Sequence, residues 1–300
     1  MPHSHHGVLG SAGSVLLTIV FVITAMVYLR GWFQLRRALF IVISLWPSIS
    51  FVAGLFLIWI AVASPIAALD HELLTVHMLQ HLLLMTLAPP LIWLGNPIKF
   101  LLYGLPPPFV YRFIAPASCR PWVKRVGSAL GNSKFCWLAA AAVLVVWHIP
   151  AVFAVGMHSE AWHLIEQGSF LATGLLFWWP VVQPWPSIST PDLSIILYLF
   201  LATIPCDILS GFLVFCDRVV YPAYLSSSHL FGVLALGDQQ FAAALMWTCV
   251  TVVYLIGGAV VTMHLLSPRI SPDHIMVQGE LWGSALPRTA HSLEAVQHGD

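Results

Sequence analysis

Three hundred residues would make one or two soluble domains, yet 59% of them are hydrophobic and only 8% charged, against roughly 25% charged in a soluble domain. No water-soluble fold buries that much apolar surface, so a bilayer must supply the apolar solvent. The formal net charge of zero argues against a nucleic-acid partner, and five scattered cysteines with no CxxC pair argue against a disulfide framework or a zinc knuckle.

The amino end, MPHSHHG, lacks the basic stretch of a secretory signal, so the first apolar run is expected to be a retained helix. Seven runs long enough to cross a membrane follow one another near 13–30, 39–63, 73–95, 134–155, 163–183, 194–216 and 240–266. About 20 residues span the hydrocarbon, and each run is continuous rather than alternating, which predicts helices. In lipid every backbone amide must be paired within its own element. The expectation is therefore an all-α polytopic protein: a seven-helix transmembrane domain over 1–266 and a disordered tail over 267–300. The loop after the third run, 96–133, contains LPPPF and PASCRP and is expected to hold a short interfacial helix.

Charge sets the orientation. Arg30, Arg36 and Arg37 follow the first run. Lys99, Arg112, Arg120, Lys124, Arg125 and Lys134 lie in or at the edge of the loop after the third, and Arg269 and Arg288 lie in the tail. With seven spans these eleven of the twelve basic residues share one side, leaving Arg218 alone on the other. Basic loops stay in the cytoplasm, so the amino end is expected outside and the carboxyl end in the cytoplasm.

That orientation gathers the ionisable residues of the runs toward the outer face. The third run reads LLTVHMLQHLLLMTLAPP; His77 and His81 are four apart and share a face, with Met85 four further on. At 1.5 Å per residue they lie about 6 and 12 Å below the outer end. His148 sits in VVWHIP of the fourth run, and His158, Glu160, His163 and Glu166 open the fifth. Asp207 follows Pro205 in the sixth, and Asp238, Gln239 and Met246 belong to the start of the seventh. An ionisable group in hydrocarbon is costly and normally faces the bundle interior or a watery cavity. His77, His81, His148, His163, Asp207 and Asp238 are therefore candidate metal ligands, with Met85 and Met246 as possible soft ligands. Imidazole with thioether leans toward copper.

Structural roles compete at each position. A lone transmembrane histidine such as His148 commonly bonds across helices. Asp207 could cap a kink at Pro205 and bond Ser210, Asp238 could cap a helix start, and Met85 and Met246 could simply pack.

The segments SPIAALDHELLTVHMLQHLLLMTLAPPLIWLGNP, WHIP, FLATGLLFWWPV, DRVVYPAY and DQQFAAALMW, in that order, resemble the signature segments of the CtaG family of seven-span bacterial cytochrome c oxidase assembly factors. The resemblance covers roughly residues 54 to 266. It implies a non-enzymatic role in maturing a haem-copper oxidase in the bacterial plasma membrane by supplying copper to its catalytic subunit, with oxidase subunits as partners. The family's HMxQH motif falls on His77, Met78, Gln80 and His81, its WHxP motif on His148, its outer-edge histidine on His163, and its DQ pair on Asp238 and Gln239. Two positions depart from the pattern. Gln167 follows Glu166 where the family has a histidine, which removes a possible ligand, and Ala242 to Ala244 stand where it has glycine.

Other functions fit parts of the pattern. A seven-span zinc hydrolase would use helical HxxxH with Asp207 near the activated water. A haem-bearing electron carrier would set His77 or His81 across from His148. A retinal photoreceptor shares the topology, but the seventh run has no lysine for a Schiff base. A scaffold that orients the oxidase subunit without metal is the remaining alternative.

Overall fold

The computed structural model describes residues 6–39, 44–114, 116, 120–121, 127, 131–182, 193–225 and 232–266. The expected tail over 267–300 and the loop residues Lys124 and Arg125 lie outside the described residues. The chain divides into a unit Met1–Thr262 and a unit Met263–Asp300; of the second, only the final turn of the last helix is described.

Regular structure among the described residues is helical throughout. The main helices are α1 (His6–Leu39), α2 (Trp46–Ala63), α3 (Leu74–Leu82), α4 (Ala88–Leu94), α5 (Pro97–Gly104), α6 (Ser133–Trp147), α7 (Pro150–His158), α8 (Glu160–Val182), α9 (Leu193–Phe215) and α10 (Ala235–Leu266). Helices α3 and α4 are joined without a break by a π-helical turn, Leu83–Leu87, so Leu74–Leu94 forms one span.

Among the described residues, five spans are long and apolar enough to cross a membrane: Gly13–Arg37, Trp46–Ala63, Leu74–Leu94, Leu193–Phe215 and Ala235–Leu266. Counting α6 with α7 as one bent span makes six. The fifth expected run forms α8, 23 residues long, but His163, Glu166 and Gln167 in its first two turns dilute its apolar character. The fourth run is not one straight helix. It bends by 77° between Trp147 and Pro150, because Pro150 can neither donate to the preceding turn nor leave room for its carbonyl. A short helix stands where one was expected after the third run, as α5. Its backbone meets that of α1 where glycines allow it: a Cβ on Gly104 would collide with Val27 O, and one on Gly31 with Phe100 O.

The Leu74–Leu94 span is the centre of the bundle. Within its 18-residue apolar stretch 67% of the residues are buried, against 33% in that of α2, 28% in that of α9 and 22% in that of α10. With lipid outside, close packing and interhelical hydrogen bonds must hold such a bundle, since apolar side chains gain little by leaving lipid for protein. Both devices surround the central span. Ser50 Oγ donates to Leu91 O at 2.9 Å, and Trp93 Nε1 donates to Leu175 O at 2.8 Å. Gly174 lets α8 lie directly on the π turn: a Cβ there would fall 2.7 Å from Met85 Cα. Tyr198 OH donates to Phe177 O at 2.9 Å, and the Phe177 ring stacks on Tyr198 and Tyr254.

The π turn has a local cause. Pro89 and Pro90 lack the N–H groups that the preceding turn would need to continue its ladder. Just before them the ladder steps out, with Ala88 N–H reaching back five residues to Leu83 O. The extra residue widens the turn, and Leu83 through Thr86 are all buried there. Such single π turns are frequent at functional sites.

Candidate metal centre

The site is built where the first two turns of α3 face the first two turns of α8. The i, i+4 spacing puts the His77 and His81 rings 4.4 Å apart between centroids. Across from them, Glu166 aims one carboxylate oxygen at both: Oε1 is 3.5 Å from His77 Nε2 and 3.4 Å from His81 Nε2. Glu166 is 1% exposed and His77 0%. Neither contact has hydrogen-bond geometry. Both ring nitrogens of His77, both of His81, and Glu166 Oε1 have no hydrogen-bond partner among the described residues. Gly156 on α7 makes room for the carboxylate, since a Cβ there would lie 2.9 Å from Glu166 Oε2.

One turn earlier on α8, His163 Nε2 lies 3.4 Å from Asp70 Oδ2. Asp70 sits just beyond the short 3₁₀ turn Ala67–Leu69, 4% exposed. Gln80 Nε2 donates to Asp70 Oδ2 at 3.3 Å, and Tyr224 OH donates to the Asp70 carbonyl at 2.7 Å. Among the described residues there are thus two sets whose donor atoms, within each set, lie within 4.8 Å of one another: Asp70, His77 and His163, and His77, His81 and Glu166, with His77 common to both. His71, 54% exposed, stands at the rim with Nε2 3.7 Å from Asp70 Oδ1. The donors therefore run from an exposed imidazole inward to a fully enclosed one.

A family model described as cytochrome c oxidase caa3 assembly factor (CtaG) matches residues 26–267. The chain belongs to that family. No curated protein and no solved structure matches it.

The CtaG motifs now have physical roles. Of the HMxQH segment, His77 and His81 enter the cluster, Gln80 holds Asp70, and Met78 is buried behind them. Gln167, where the family resemblance implies a histidine, reaches the cluster. Its Nε2 lies 3.1 Å from His163 Nε2 and 3.4 Å from Gln80 Oε1. The DQ pair binds backbone. Asp238 accepts from Leu74 N at 2.6 Å, from Thr75 N at 3.2 Å and from the Thr75 hydroxyl, capping α3 from another helix. Gln239 accepts from Val220 N at 2.7 Å and donates to Arg218 O at 3.1 Å, tying down the chain between α9 and α10.

Of the residues expected as ligands, His77, His81 and His163 come together. His148 is near, its ring 6.1 Å from that of His81. Asp238 is engaged with the start of α3, and Asp207 belongs to neither donor set among the described residues; its Oδ1 has no hydrogen-bond partner there. Sequence reasoning left Asp70 and Glu166 out of the ligand set. Asp70 lies between two apolar runs and reads as a loop residue. Glu166 lies three residues after His163, the i, i+3 spacing that puts both on one face, which was the signal available.

Proposed function

We propose that this protein is a non-enzymatic assembly factor for a haem-copper oxidase, and that it takes copper at the outer half of the bundle and hands it to the catalytic subunit. In this reading it spans the plasma membrane seven times, α8 and the bent α6–α7 pair included, with its amino end outside. Copper is cargo here, and oxidase subunits are the partners.

The observation that carries the reading is the set of unpartnered buried donors. His77 Nε2 and His81 Nε2 lie 3.5 and 3.4 Å from Glu166 Oε1, and none of the three atoms has a hydrogen-bond partner among the described residues. An unsatisfied polar group away from water costs several kcal/mol, and a bound metal would satisfy these together. Imidazole with carboxylate suits divalent copper, and it also suits zinc. The exposed His71 beside Asp70 offers an entry point and suits a site that must load and release.

The test is maturation of the oxidase in cells. A strain lacking this protein should make oxidase subunits deficient in copper, and the wild-type chain should restore copper and activity. The His77→Ala/His81→Ala protein, present in the membrane at normal level, should fail to do so. Full restoration by the double variant would overturn the copper role. Zinc in the purified protein, accompanied by amide or ester hydrolysis, would favour the hydrolase instead.

A further inference from the structure

Below the cluster lies a cavity of about 40 Å³, room for an ion with a little space to spare. Among its lining residues are His81, His148, Met78, Met85, Met246 and Cys206. Four soft sulfur side chains and two imidazoles meet there from α3, the π turn, the α6–α7 bend, α9 and α10. None of the residues lining it is a carboxylate.

His148 is prepared as a ligand. Its Nδ1 lies 2.7 Å from Leu144 O. A carbonyl only accepts, so Nδ1 carries the proton and Nε2 keeps a bare lone pair. That nitrogen is buried, with no hydrogen-bond partner among the described residues, and the residue is 5% exposed. A ring nitrogen fixed by donating its other N–H to a backbone carbonyl is the usual condition of a metal-bound histidine. The bend at Pro150 holds the ring there, and Tyr221 OH secures the bend by donating to His148 O at 3.1 Å.

We infer that this cavity is a second, interior metal site, which takes a soft monovalent cation, Cu(I), on His148 Nε2 and the thioethers of Met85 and Met246, with His81 serving either this site or the outer cluster but not both at once. Neutral nitrogen and sulfur donors select Cu(I). A divalent ion buried with no counter-charge would be far costlier than a monovalent one. The two sites differ in kind: imidazole and carboxylate at the rim, imidazole and thioether inside. The inference deepens the copper reading above by giving the cargo an interior resting place.

The experiment is X-ray absorption at the copper edge on the full chain in lipid nanodiscs, loaded anaerobically with Cu(I). Cu(I) affinity is measured in parallel by competition with a chromophoric chelator. Wild-type protein should show sulfur and imidazole neighbours around copper. Met85→Leu/Met246→Leu and His148→Gln should each weaken Cu(I) at least about tenfold, whereas Asp70→Asn/Glu166→Gln should change it less than about threefold. Leucine and methionine are close in volume, and the wild-type spectrum decides even if a variant fails to fold. Copper with nitrogen and oxygen neighbours only, no Cu(I) uptake, or affinity indifferent to the sulfur and His148 changes would overturn the inference. An oxidase-maturation defect in cells without sulfur at Cu(I) would overturn it while leaving the assembly role intact. Sulfur-bound Cu(I) in a protein dispensable for maturation would support it and sink the assembly role.

Discussion

Gln167 Nε2 stands 3.1 Å from His163 Nε2, so this side chain points into the cluster. Gln167→His should add an imidazole there and raise divalent copper affinity about tenfold, roughly 1.4 kcal/mol, as read by competitive titration. Asp238 is a buried cap, 6% exposed, on which three donors depend. Asp238→Ala should destabilise the protein by about 2–4 kcal/mol, seen as a lower Tm in detergent, and should weaken metal binding as α3 loses its anchor. The clustering of His77 and His81 was legible from their spacing and from the rarity of imidazole in lipid. The use of Asp238 was not, since an acidic residue at one helix start gives no sign that it caps another. Asp70 was hidden for a related reason: only the packing of Tyr224 and Gln80 around it distinguishes it from a solvated loop residue.

At the level of elements, the central span and α8 form a single device. The π turn sets the face of the central span, Gly174 sets its distance from α8, and the two together fix how far Glu166 stands from His77 and His81. Gly174→Ala forces backbone apart at Met85. It should cost about 1–3 kcal/mol, as overpacking generally does, and should weaken metal binding several-fold although residue 174 lies two turns from Glu166. A thermal melt paired with a metal titration checks both. Continuous apolar runs announced the helices, and most boundaries fall within a few residues of those expected. The sequence pattern did not announce the 77° bend, since WHIP can sit in a kinked helix as readily as at a corner. Nor did it announce the π turn, whose cause is the Pro89–Pro90 pair acting on the ladder before it.

For the whole molecule, the proposed orientation rests on a reading of the sequence in which eleven basic residues share one side, and it requires α8 and the α6–α7 pair both to cross. Single cysteines introduced by Ser4→Cys and Ser292→Cys in a background without the native cysteines should separate cleanly. A membrane-impermeant thiol reagent should reach position 4 in intact cells and position 292 only after permeabilisation. Equal labelling of both from outside would require an even number of spans. Under the proposed orientation, His71, Asp70 and His163 would face the outside, the side from which the proposed hand-over to an oxidase subunit would take place.

The measurement that bears most directly on the account is electron paramagnetic resonance of the purified full chain loaded with one equivalent of Cu(II). The account predicts nitrogen hyperfine coupling from at least two imidazoles, lost in the His77→Ala/His81→Ala protein. Copper that fails to bind, or a spectrum that the double substitution leaves unchanged, would contradict it.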